Sequence, residues 1–124
     1  MISFVGVDHV QLAAPPGGEA EARAFYGGLL GLEEITKPPA LAARGGCWFQ
    51  CGAQQIHIGI EAEFRAAKKA HPGLRLADRA AFDGLLARLA AHGVAIKRDD
   101  EAIPGVTGRF FIADPWGNRL ELLV

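Results

Sequence analysis

The chain has 124 residues, half of them hydrophobic, with a formal net charge of -1 and two cysteines. That length allows one compact domain, or two small halves sharing a core. The balanced charge, with Lys and Arg scattered, excludes the basic surface that nucleic acid or an anionic membrane requires.

In chain order, residues 5–14 alternate apolar and polar side chains as a strand does, and Pro15, Pro16, Gly17 and Gly18 end it. Ala22, Phe25, Tyr26, Leu29 and Leu30 follow helical spacing over 19–30, with acidic residues leading and Gly31 at the stop. A short strand is expected over 32–37, a loop over 41–44, and strands over 46–51 and 54–60 joined by the Gly52-Ala53 turn. In the last of these, Ile56, Ile58 and Ile60 share one face, and His57 and Gly59 share the other. Residues 61–70, charged and Ala-rich and containing the only basic cluster (Arg65, Lys68, Lys69), read as a solvated linker.

The order then repeats. A strand over 73–77 leads to a helix over 79–91 with Phe82, Leu85, Leu86 and Leu89 on one stripe. His92 and Gly93 end that helix, a strand follows over 94–97, a loop over 99–105, and a strand over 107–113 that forms a hairpin with the last strand. Pro115 and Gly117 reverse the chain between Asp114 and Asn118. Strand, helix and three strands thus occur twice, about 1–60 and 71–124, as a repeat of pattern rather than of residues. Cys47 and Cys51, four apart in a strand and without C-x-x-C spacing, read as reduced core residues. No apolar run approaches the ~20 residues of a bilayer span, and residues 1–4 lack the basic start of a signal peptide, so a cytoplasmic protein is expected.

Glu121 stands alone among leucines in the last strand, and a carboxylate so placed needs a partner. His9, His57 and His71 are the candidates; each of them is either a metal ligand or a residue with a structural role, as in a buried His-Glu ion pair. Parity puts His9, His57 and Glu121 on the strand faces away from the helices, with His71 at a strand edge beside Pro72. Trp48, Gly59, Arg75, Arg109 and Phe111 share that parity and are candidates for contacting a substrate, the arginines through an anionic group.

The stretches Asp8-His9-Val10, Ala24-Phe25-Tyr26 with Leu30-Gly31-Leu32, and Asp114-Pro115-Trp116-Gly117-Asn118 followed by Leu120-Glu121 together make the chain resemble the vicinal oxygen chelate superfamily of glyoxalase I, bleomycin-resistance proteins, fosfomycin-resistance transferases and extradiol dioxygenases. The resemblance covers nearly the whole chain. It implies an α+β fold of paired βαβββ units forming a cup-shaped, mainly antiparallel eight-stranded sheet with the helices outside. It also implies a divalent metal held by His9, His57, His71 and Glu121, with Glu121 and His57 as the catalytic candidates. Two imidazoles and a carboxylate suit Zn, Ni, Fe, Mn or Co and leave positions open for substrate. In glyoxalase I the place of His57 is commonly a carboxylate, and this chain departs there. The resemblance further implies a homodimer and a small substrate with vicinal oxygens, handled by lyase or isomerase, thiol-transferase or dioxygenase chemistry. The alternative within the same superfamily is a metal-free drug- or metabolite-binding protein of the bleomycin-resistance type.

Overall fold

The computed structural model describes residues 1–124, which form two compact units, Met1–Phe64 and Arg65–Val124. The first unit runs β1 (His9–Ala14), α1 (Glu19–Ala22, continued by a π-wound segment Arg23–Leu29), β2 (Glu33–Ile35), a single turn α2 (Pro39–Ala42), β3 (Cys47–Cys51) and β4 (Gln54–Ile60). The sheet order is β1-β4-β3-β2, with β1 and β4 parallel and the other pairs antiparallel. Two antiparallel neighbours can be joined by a tight turn, but the parallel pair needs a crossover, and α1 lies on that connection.

The helix packs on one face of this sheet. Tyr26 lies 5.8 Å from the Phe49 ring, and the Cys47 thiol points at the Glu19 carbonyl at 3.9 Å. Their cross-strand partners Ile56 and Ile58 are 3% and 1% exposed, so this is the core face. Both cysteines are free; Cys47 is a buried core residue, Cys51 is only half-buried, and burial raises both thiols above the ordinary range.

The second unit contains β5 (Gly73–Arg75), α3 (Arg79–Ala91), β6 (Lys97–Arg98), β7 (Arg109–Ala113) and β8 (Arg119–Leu123), in the order β5-β8-β7-β6 with β5 and β8 parallel. Asp78 caps α3 by accepting the Ala81 N–H at 2.8 Å. Phe82, Leu85 and Leu89 are buried, with Phe82 5.2 Å from the Phe110 ring. The eight strands, mostly antiparallel, and the repeated strand order are those of paired βαβββ units.

Several boundaries differ from the sequence reading. The first strand starts at His9 rather than residue 5, because β4 begins at Gln54 and the last bond to it is Gln55 N–H to the Asp8 carbonyl. Met1, Ile2, Phe4, Val5 and Val7 are left exposed. Residues 39–42 form a helical turn instead of loop, since Pro39 sits at its first position and Pro38 O accepts from Leu41 and Ala42. The strand expected over 94–97 shrinks to Lys97–Arg98, because Val94 N–H closes the end of α3 on the Leu89 carbonyl.

The reversal before β8 is held by more than Pro115 and Gly117. Asp114 Oδ1 accepts from the N–H groups of Trp116 and Asn118, and Asn118 Nδ2 donates to Asp114 Oδ2 at 2.7 Å. Asn118 Oδ1 also accepts the Ala67 N–H at 2.9 Å, and Arg119 N–H donates to the Ala67 carbonyl. The stretch read as a solvated linker is therefore tied to the start of β8 at its middle.

Candidate functional site

The ladders place the candidate residues of the two units in equivalent positions. In the first unit, Gln11 of β1 is paired with His57, and His9 lies two residues before Gln11. In the second, Gly73 of β5 is paired with Glu121, and His71 lies two residues before Gly73. The next strand across puts Trp48 opposite His57 and Phe111 opposite Glu121. Each unit thus carries one histidine at the start of its first strand, one titratable residue in its fourth strand and one aromatic ring in its third.

In the first unit these rings form a stack on the face away from α1. Trp48 and His57 are 4.0 Å apart and 4° from parallel; His57 and His9 are 4.3 Å apart and 15° from parallel. The His57 residue is 5% exposed, and its Nε2 lies 2.8 Å from Gln55 Oε1. Burial, and secondarily the nearby His9, lower the His57 pKa, which keeps the ring neutral. His9 places Nδ1 2.9 Å from Asp8 Oδ2. Gly59 faces Gln11, whose Nε2 is 2.7 Å from where a Cβ on Gly59 would stand.

In the second unit His71 precedes β5 and is fixed by its Nδ1, 2.9 Å from the Lys69 carbonyl, with Nε2 4.0 Å from Glu121 Oε1. The partner that Glu121 requires is above all Arg109, whose Nη1 donates to Oε1 at 3.1 Å. Arg109 Nη2 meets Asp99 Oδ2 at 2.6 Å, so one guanidinium bridges two carboxylates, while its Nε is buried without a partner. A hydrogen bond from the Glu101 N–H, then Arg109, hold the Asp99 carboxyl below its ordinary range. Phe111 presents an edge to His71 at 5.6 Å and lies under the Arg119 guanidinium at 4.1 Å. Gly73 leaves room for the carboxylate: a Cβ there would stand 3.0 Å from Glu121 Oε2. Arg75 reaches the Gly105 carbonyl at 3.4 Å.

The donor chemistry of both pairs suits a divalent ion. His71 with Nδ1 on a backbone carbonyl and His9 with Nδ1 on a carboxylate have the outer-shell pattern of metal-bound imidazoles, with Nε2 directed elsewhere. No three His, Cys, Asp or Glu side chains converge within either unit. The stack adds a constraint: an ion lies near the ring plane about 2 Å from the nitrogen. Two near-parallel rings 4.3 Å apart share no such point, so His9 and His57 as they stand do not serve one ion together.

Asp8, Gln55 and Asp99 join these clusters without having been singled out in the sequence. Asp8 adjoins His9, so the Asp-His pair was visible; Asp99 meets Arg109 only because β6 and β7 pair, which no local pattern encodes.

The family model of the Glyoxalase/Bleomycin resistance protein/Dioxygenase superfamily matches residues 6–122. A glyoxalase family protein from Bacillus anthracis is 48% identical with a TM-score of 0.90, over 99% of this chain and 98% of that one. Lactoylglutathione lyase from Agrobacterium tumefaciens (22% identity, TM-score 0.73, 98% and 94% covered) shares the fold. So does a genomically encoded fosfomycin resistance protein from Listeria monocytogenes (20%, 0.74, 100% and 92%). No curated protein matches. With nearly its whole length matched, and with the doubled βαβββ pattern already described, the chain belongs to the glyoxalase/bleomycin resistance protein/dioxygenase superfamily.

Proposed function

We propose that the chain is a divalent-metal-dependent enzyme acting on a small substrate with two adjacent oxygens, through lyase or isomerase, thiol-transferase or dioxygenase chemistry. The observation that carries this reading is the His71–Glu121 pair: an imidazole locked through Nδ1 with Nε2 facing a carboxylate 4.0 Å away. These two residues would hold the ion in the second unit, with His9 the equivalent histidine of the first. His57 would enter the ligand set only by turning out of its stack; as it stands, it backs His9 with a rigid ring. An ion bound there, zinc, nickel, iron, manganese or cobalt, would supply Lewis acidity toward the two substrate oxygens.

The chain's own residues do the positioning. Arg109 fixes Glu121 in direction, Asp8 sets the tautomer of His9, and the Lys69 carbonyl sets that of His71. In the second unit the Phe111 ring beside His71 offers a flat apolar surface that would exclude water from the reacting oxygens. Metal-free protein titrated with Zn²⁺ or Mn²⁺ at neutral pH in a calorimeter should take up the ion. His71→Ala and Glu121→Gln should lose it, and His57→Phe, which preserves the stack, should retain it. Absence of uptake by the unaltered chain would end this reading.

One observation favours a second reading, a metal-free binder of the bleomycin-resistance type: Arg109 already gives Glu121 a counter-charge. In that case Glu121→Gln changes stability, because Arg109 keeps only Asp99 as a carboxylate partner, and ion titration shows nothing. Under either reading we propose a cytoplasmic homodimer. The free edge of β1 and the exposed Met1, Ile2, Phe4, Val5 and Val7 beside it support association, and no helix is long and apolar enough to cross a membrane.

A further inference from the structure

The sequence points to Arg75 and Arg109 as the cations for an anionic group, but Arg109 is engaged by Asp99 and Glu121. Arg75 is exposed and lines none of the cavities described, whereas two other cations do line one. In the first unit a cavity of about 200 Å³ is lined by Gln11, Lys37, Leu41, Arg44, Trp48 and Gly59 among others, with no carboxylate in the lining. The α2 turn and the residues just after it deliver Leu41 and Arg44 to the cavity.

Lys37 Nζ donates to the Gly45 carbonyl, which pins the ammonium at the cavity and leaves two of its three donors. Arg44 is exposed, and no hydrogen bond or ion pair engages its guanidinium. Glu19 lies close to the lining residue Gly45: its Oε2 is 3.0 Å from where a Cβ on Gly45 would stand. That oxygen already accepts the Gly46 N–H at 3.2 Å, the main reason the Glu19 pKa is lowered. Lys37 and Arg44 thus line the cavity while Glu19, outside the lining, is hydrogen-bonded to Gly46. Trp48 is held parallel to His57 and forms a rigid apolar wall beside these cations.

We propose that this cavity seats the anionic end, a carboxylate or a phosphate, of the small molecule the protein acts on, with Lys37 and Arg44 as its counter-charges and Trp48 against its apolar body. The proposal deepens the functional reading above by naming the substrate's charge and the residues that select it. A planar guanidinium and a pinned ammonium together match an oxyanion with at least two acceptor oxygens.

The test uses the full chain, isotopically labelled, with the Trp48 indole N–H as the NMR reporter, assigned against Trp116 by Trp48→Phe. Benzoate, phenyl phosphate and the neutral benzyl alcohol are titrated in parallel. Both anions, or the one that matches the true ligand, should bind roughly ten-fold or more tightly than benzyl alcohol, the scale of one charge-assisted hydrogen bond. Arg44→Gln should remove that advantage while leaving benzyl alcohol binding unchanged, Lys37→Gln should act alike, and Arg44→Lys should recover part of it. Equal affinity for all three probes, or anion binding unchanged in Arg44→Gln, would overturn the proposal. Ion uptake measured on the same samples separates the two readings: a chain that takes up no metal yet binds anions through Arg44 keeps this site and removes the metal.

Discussion

Asn118 offers the most direct test of how the Glu121 strand is held in place. It is fully buried at 0% exposure, and both ends of its amide are used, Nδ2 on Asp114 Oδ2 at 2.7 Å and Oδ1 on the Ala67 N–H at 2.9 Å. Asn118→Ala removes at least one hydrogen bond to a charged group, about 1.5–3 kcal/mol, and one between neutral groups, about 0.5–1.5 kcal/mol. The expected loss is therefore roughly 2–4.5 kcal/mol, the upper end applying if no water reaches the orphaned Ala67 N–H. Asn118→Asp should cost at least as much, although it keeps the acceptor, because it sets a second carboxylate against Asp114. Urea unfolding followed by circular dichroism, with the denaturant slope compared to show that the unfolded state is unchanged, measures both. A loss under about 0.5 kcal/mol for Asn118→Ala, the range of an ordinary surface substitution, would refute the assignment of this amide as the clasp between residue 67 and β8.

Ile58, 1% exposed on the helix side of β4, should cost about 2–5 kcal/mol when truncated to Ala, as urea unfolding would measure. Gly73→Ala would place a methyl group 3.0 Å from Glu121 Oε2, so it should weaken ion uptake with little change in melting temperature. Unaltered uptake would count against this carboxylate as a ligand. The lowered His57 pKa means that the folded chain binds this proton less readily than the unfolded chain. Stability should accordingly fall as pH drops below ~6.5, the unfolded value, until the folded pKa is passed, and His57→Phe should flatten that part of the thermal-unfolding profile. Light scattering at micromolar concentration should report a dimer, and a stable monomer would remove the proposed association.

Much of the fold was legible in the residues because it rests on short-range periodicities. Helical spacing from Phe82 to Leu89, alternation through Ile56, His57 and Ile58, and Pro and Gly at the turns each act within a few neighbours, where the backbone's own geometry decides the outcome. Parity alone placed His57 opposite the core face and brought it onto the Trp48 side of the sheet. The ends of elements were not legible in this way, because a strand lasts only as long as its neighbour; the apolar alternation before His9 continues, but β4 does not.

The charge partners were decided by tertiary structure alone. Glu121 advertises its need for a counter-charge, but whether Arg109 or a histidine meets it depends on which residues the β7–β8 ladder sets side by side and how far each side chain reaches. The same holds for Asp99 against Arg109, for Asn118 against the linker at Ala67, and for Lys37 and Arg44 around one cavity. Such pairings join residues far apart in sequence, and their energies fall off over a few ångströms, so nothing local in the chain records them until the strands are in register.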